Sequence, residues 1–143
     1  MSLVDKSNKL IADFKSCQNW EDKYEKIILY GKNWPGIADE FKIEDLKIKG
    51  CQSQVWIKAE LNSEGLMMLR GDSDAIIVKG LVALVLTVYN NETPGNILKY
   101  EPLFLKEIGL DSGLSPSRTN GLYSMIKQIM YYATAFNYIL NRK

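Results

Sequence analysis

Histidine is missing from all 143 residues. Its absence removes His-based metal sites, Ser-His-Asp triads and Cys-His dyads together. Cysteine is scarce: Cys17 and Cys51 are the two present, too few for a disulfide framework. An excess of one charge is also lacking. The 18 basic and 17 acidic side chains leave a formal net charge of +1, with no basic run longer than a pair, so nothing marks a nucleic-acid surface. The most apolar stretch, 75–89, is interrupted by Lys79 and too short to span a bilayer comfortably. Met1-Ser2-Leu3-Val4-Asp5-Lys6 has no apolar core of the kind a signal peptide carries. P-loop and GxGxxG spacings do not occur, and there is no internal repeat, low-complexity tract or linker. These absences predict one domain over residues 1–143, large enough for a real core and cytoplasmic, with reduced thiols and contact with neither nucleic acid nor membrane.

The residues present divide into helices around a short stretch of strands. Leu3, Leu10, Ile11 and Phe14 predict an amphipathic helix over 2–16. Asn19, with Asp22 three residues on, is a cap for a second helix carrying Trp20, Tyr24, Ile27 and Ile28 and stopping near Gly31. Residues 35–45 read as a polar loop with a short helical turn at 37–41. Alternation at 46–49, again from Val55, and at 66–69 predicts three strands of an antiparallel meander. Asp72-Ser73-Asp74 reads as a cap for a helix over 75–90 that is apolar on nearly every side, hence the centre of the core. Thr93-Pro94, Glu101-Pro102 and Ser115-Pro116 open three more helices, the second ending near Gly109. The last presents Leu122, Met125, Ile126, Ile129, Ala133, Phe136 and Leu140 along one stripe. The expected class is α+β: a small three-stranded antiparallel sheet packed with several helices.

Cys51 carries the chemistry that remains. It follows Gly50, lies in the polar corner before Gln52, and has Lys47 and Lys49 upstream. Such a corner leaves a thiol approachable, and the lysines would favour the thiolate, weakly if exposed. No neighbouring general base is supplied. The pattern therefore fits thiol–disulfide-type exchange, attack on a persulfide included, better than demanding acyl transfer. An inert small hydrophobe is the alternative for Cys51, and core packing is the plainer reading of Cys17. Arg118, in the first turn of the last helix, opposes the helix dipole, so it is read as binding a carboxylate or organising a loop, with a plain surface or bridging arginine as the alternative.

Four blocks carry a family resemblance. Gly50-Cys51-Gln52-Ser53-Gln54-Val55-Trp56 resembles the signature of the SufE family, sulfur acceptors of cysteine desulfurases. In register with it are Trp20-Glu21-Asp22-Lys23-Tyr24 with Ile27, Ile28 and Gly31; Gly71-Asp72-Ser73-Asp74-Ala75 with Val78-Lys79-Gly80-Leu81; and Leu114-Ser115-Pro116-Ser117-Arg118 with Asn120-Gly121-Leu122 and Met125. The similarity runs from about residue 8 to residue 135. It implies a SufE/IscU-like fold and a division of labour. The partner desulfurase uses pyridoxal phosphate to hold cysteine-derived sulfur as a persulfide. Cys51 takes that sulfur, the docked acceptor stimulates the desulfurase, and the sulfur passes to an iron–sulfur scaffold or another acceptor. No cofactor is implied for the acceptor itself. The resemblance also implies a resting thiol tucked against apolar residues, its pKa raised by that shielding, on a loop that must swing out. Gly50, Gln52, Gln54, Asp74 and Arg118 match positions near that loop or the docking surface. Two departures stand out: Lys47 and Lys49 make the loop more basic than the family pattern, and 34–46 matches little.

Three other functions compete. A purely regulatory module would activate a desulfurase without carrying sulfur, and Cys51 is what discriminates. A cluster scaffold needs several soft ligands, and two cysteines without histidine fall short. A thiol antioxidant enzyme wants a resolving cysteine and a fixed cation beside the sulfur. Exposed aromatics such as Tyr131 and Tyr132 allow weak self-association into a homodimer.

Overall fold

The structure is a computed structural model describing residues 1–142. Its elements follow in the order α1 (Leu3–Phe14), α2 (Trp20–Lys32), two 3-10 turns (Asp39–Phe41 and Glu44–Leu46), β1 (Val55–Leu61), β2 (Met67–Ser73), α3 (Ile76–Tyr89), α4 (Pro94–Lys99), α5 (Phe104–Ile108) and α6 (Pro116–Asn141). The class is α+β, but the sheet has two strands rather than three. β1 and β2 pair antiparallel from Val55↔Ser73 to Leu61↔Met67. The stretch expected as a further strand at 46–49 touches β1 by one bridge, Lys47↔Trp56, and one bond in which the Ile48 N–H donates to the Val55 carbonyl at 2.7 Å. A 3-10 turn ends at Leu46, and Gly50 adopts φ +90°. Too few extended residues lie between these two breaks to build a ladder.

Local chemistry explains most of the helix boundaries. Ser2 and Asp5 close a capping box on α1. Asn19 accepts the Asp22 N–H at 2.9 Å at the start of α2. Thr93 caps α4 and Ser115 caps α6, each followed by proline in the first turn. Gly109, left-handed at φ 90°, ends α5.

The cap expected at Asp72-Ser73-Asp74 is not one. β2 continues through Ser73, and α3 starts at an Ala75 N-cap that has no side-chain bond. None of the three side chains caps the first turn of α3; Ser73 Oγ accepts only the N–H of the N-cap residue, Ala75, at 3.2 Å. Asp72 accepts the Ile37 N–H at 3.3 Å and pairs with Lys42 and Lys79, tying the 34–42 loop to the sheet. The Trp34 indole donates to the Gly71 carbonyl beside it at 3.0 Å. Ser73 donates to the Gln54 carbonyl at 2.7 Å, and Asp74 holds Gln54.

α3 is the core's axis. Its residues 80–86 are all buried, and it packs against α1, α2, α6 and both strands. A helix that is apolar all round is stable only when covered like this. α2 and α3 cross closely because Gly31 and Gly80 face each other; a Cβ on Gly80 would lie 2.2 Å from the Ile27 carbonyl oxygen. α6 buries Leu122, Met125, Ile126, Ile129 and Ala133, then runs past the core, leaving Tyr138, Ile139 and Leu140 exposed. Tyr132 anchors it, donating to the Ile57 carbonyl at 3.0 Å. Tyr132 is half-buried in making that bond, so Tyr131 is the member of the expected self-association pair that stays exposed.

Candidate functional site

Cys51 sits in the loop between Ile48 and Val55, outside the strand ladder. Both ends of the loop are fastened. Upstream is the Ile48–Val55 bond. Downstream, the Gln54 backbone N–H and side-chain amide both donate to Asp74, at 3.1 and 3.0 Å, and the Asp74 N–H returns to the Gln54 carbonyl at 3.4 Å. Between these ends the contacts thin out. Gly50 turns the chain in the left-handed region that favours glycine. The thiol's one hydrogen bond runs from Sγ to the Gly121 carbonyl on α6, at 3.7 Å, and sulfur donors bond weakly.

The thiol faces a cleft of about 710 Å³ between the loop, the start of α3 and the first turns of α6. Gln52, Asp74 and Arg118 share its wall, as do Ile77, Val78, Leu81 and Met125. Four of the residues singled out in the sequence, Cys51, Gln52, Asp74 and Arg118, are thus brought together. Gly50 and Gln54 do not line the cleft; they shape the loop that carries Cys51. Arg118 is half-buried, its N–H held by Ser115 Oγ at 3.4 Å, and it forms no ion pair among the described residues.

Electrostatically the site is the reverse of an activated cysteine. Burial pushes the Cys51 thiol above its ordinary range, because a thiolate there would lose its hydration. Lys47 and Lys49, expected to favour the thiolate, line a different cleft with Ser124, Lys127 and Tyr131. The sulfur is a free, half-buried thiol whose ionisation burial disfavours. Cys17 is half-buried too, packed against the core in the turn after α1. Among the described residues no three His, Cys, Asp or Glu side chains are placed to hold a metal ion.

Ser124 was not singled out in the sequence, and Gly121 only within a family block and as a glycine serving close packing. Gly121 and Ser124, one helical turn apart on α6, form the surface on which the Cys51 loop rests. Ile76, at the mouth of the cleft, is 69% exposed. The signal for Gly121 was a glycine inside a strongly helical segment, which more often marks close packing than chance.

Two comparisons bear on identity. The family model for SufE, described as an Fe–S metabolism associated domain, matches residues 8–133. Among solved structures, the fold is similar to the solution structure of a hypothetical protein from Thermus thermophilus. The two are 21% identical with a TM-score of 0.74, over 92% of this chain and 95% of that one. At that identity the likeness speaks for the fold alone.

Proposed function

The chain belongs to the SufE family, associated with Fe–S metabolism, and from that premise we propose that it is a sulfur carrier whose acceptor is Cys51. A cysteine desulfurase presents a persulfide. The Cys51 thiolate attacks the terminal sulfur, a new S–S bond forms on Cys51, and the donor's S–S bond breaks. The donor cysteine leaves as a thiolate, so the exchange is balanced with no external oxidant or reductant. Cys51 then hands the sulfur to an iron–sulfur scaffold or another acceptor.

One observation carries this reading: the thiol lies on a loop fastened at both ends but held in its middle by a single weak sulfur bond, beside an open cleft. A loop of that kind can swing its sulfur outward without disturbing the core. Burial keeps the thiol protonated at rest, so ionisation accompanies displacement of the loop when the partner docks. Exposed Ile76 and half-buried Arg118 flank the cleft and supply an apolar and a cationic contact for the docked desulfurase. Gln52 assists at the loop, and Asp74 with Gln54 limits its swing.

The test is mass spectrometry after incubation with a cysteine desulfurase, pyridoxal phosphate and cysteine. A gain of roughly 32 Da, one sulfur atom, is expected on the peptide containing Cys51, and none in Cys51→Ser. An unmodified Cys51 peptide would sink the proposal. Full stimulation of the desulfurase by Cys51→Ser would instead favour a purely regulatory partner.

A further inference from the structure

Resting on the reading of Cys51 as the acceptor, we propose that Gly121 is a positioning residue: its missing side chain forms the seat in which the resting thiol is stored, and the size of residue 121 sets how far the loop is already displaced. Residue 121 lies within α6, where glycine is the weakest helix former after proline. Its φ is not in the left-handed region, so backbone conformation does not call for glycine there. The lack of room for a longer side chain does. A Cβ at this position would stand in ordinary van der Waals contact with Cys51 Sγ at 3.4 Å and Cys51 Cβ at 3.9 Å, and among the described residues it would meet nothing else within 4 Å outside its own helix backbone and chain neighbours. Alanine therefore fits, and a longer side chain grows into the place the thiol occupies.

The other buried helical glycines answer to different neighbours. A Cβ on Gly31 would meet the backbone of α3, and one on Gly80 the backbone of α2. Both are therefore needed for helix crossing. Gly121 is needed for one side chain, that of the reactive cysteine. The same residue also supplies the carbonyl that accepts the thiol. One turn on, Ser124 Oγ lies 2.7 Å from where a Cβ on Gly50 would sit, so the same face of α6 receives the loop's turning residue. A side chain longer than alanine's at position 121 removes the seat, while leucine or methionine there leaves α6 a better helix than before. The displaced sulfur then enters solvent and ionises more readily.

The decisive experiment needs no desulfurase, so its failure is separable from failure of the sulfur-carrier reading. Full-length wild type, Gly121→Ala and Gly121→Leu are treated with iodoacetamide at several pH values. Alkylation is followed at Cys51 by peptide mass spectrometry, with Cys17 as internal reference and circular dichroism as the check on folding. Near neutral pH the Cys51 rate should stay within about twofold of wild type in Gly121→Ala and rise about tenfold in Gly121→Leu, tenfold being what each pH unit is worth in thiolate fraction below the thiol's pKa. The Cys51 pH profile should move to lower pH while the Cys17 rate stays put. Asp74 and Arg118, the charged groups in the cleft wall, are the same in all three proteins. A Cys51 rate equal to wild type in folded Gly121→Leu overturns the proposal, and so does an equal rise at Cys17, which would mean general loosening. If Gly121→Leu does not fold, the more flexible Gly121→Met decides in its place, with the same rise expected and an unchanged rate overturning the proposal.

Discussion

Where α2 crosses α3, and again where the Cys51 loop rests on α6, a helical glycine lets another part of the chain come close. The neighbours differ in what they can yield. At the crossing the atom that a Cβ on Gly80 would strike is a backbone oxygen of α2, 2.2 Å away. Moving it means moving a helix that is locked to the core through Ile27. At the loop, the atom is a sulfur at 3.4 Å, on a segment with one weak bond between its two fastenings. The first glycine is a condition of the fold. The second is a condition of where a thiol waits. What separates them is how much of the molecule must move when the space is filled.

The largest effect should come from filling the rigid side. Gly80→Ala is expected to destabilise the protein by about 3 kcal/mol, the upper end for overpacking, even though alanine is the better helix former. Urea denaturation measures it, and a loss below about 1 kcal/mol would show that the crossing can relax after all. Next comes Tyr132→Phe, which removes the bond to Ile57 that anchors α6 to β1. A loss of about 1 kcal/mol is expected, with Cys51 alkylation unchanged, since this bond lies away from the loop's middle. Asp74→Ala should do the reverse. It removes both bonds to Gln54 at an exposed position, so stability should fall by less than about 1 kcal/mol while Cys51 is alkylated faster. A large loss of stability with an unchanged rate would erase the distinction between loop and core.

The smallest effect is the pH dependence. Burial raises the Cys51 pKa in the native state, so on raising the pH the unfolded chain loses its thiol proton first. Above about pH 8.5, the ordinary thiol value, the native state holds the extra proton, and stability contributed by the buried thiol declines until the native pKa is passed. The denaturation midpoint of wild type should therefore drop more between about pH 7 and about pH 10 than that of Cys51→Ser. Equal drops would show that the thiol's surroundings do not disfavour the thiolate.

Much of the architecture was legible in the chain because its signals are local. Asn19 caps the helix it was expected to cap, and Thr93-Pro94 and Ser115-Pro116 open theirs, whereas α5 begins at Phe104, two residues beyond the expected Glu101-Pro102 opening. The apolar run after Ala75, interrupted by Lys79, is the core helix. Cys51 outside the ladder was also readable, from Gly50 and the polar corner after it. The failures share a cause. Asp72, Ser73 and Asp74 have the composition of a cap, but beside Ala75 and Lys79 at the start of α3 their partners are residues 37, 42 and 54, which adjacency to α3 did not reveal. The strand at 46–49 was cut short by a turn and a left-handed glycine. Lys47 and Lys49 lie next to the cysteine in sequence but line another cleft, because a corner sends neighbouring side chains in different directions.

By itself, the order of residues determined most of the helical segments, which helix forms the core, and that a thiol stands on the turn outside the strands. Caps, periodicity and the absence of histidine act within a few residues or through composition, so they need no fold to be read. Only tertiary structure decided that α6 offers Gly121 as the thiol's berth, that Asp74 fastens the loop, and that burial rather than nearby lysine sets the sulfur's acidity. Those properties depend on distances between segments far apart along the chain, and such distances exist only once the core has brought them together.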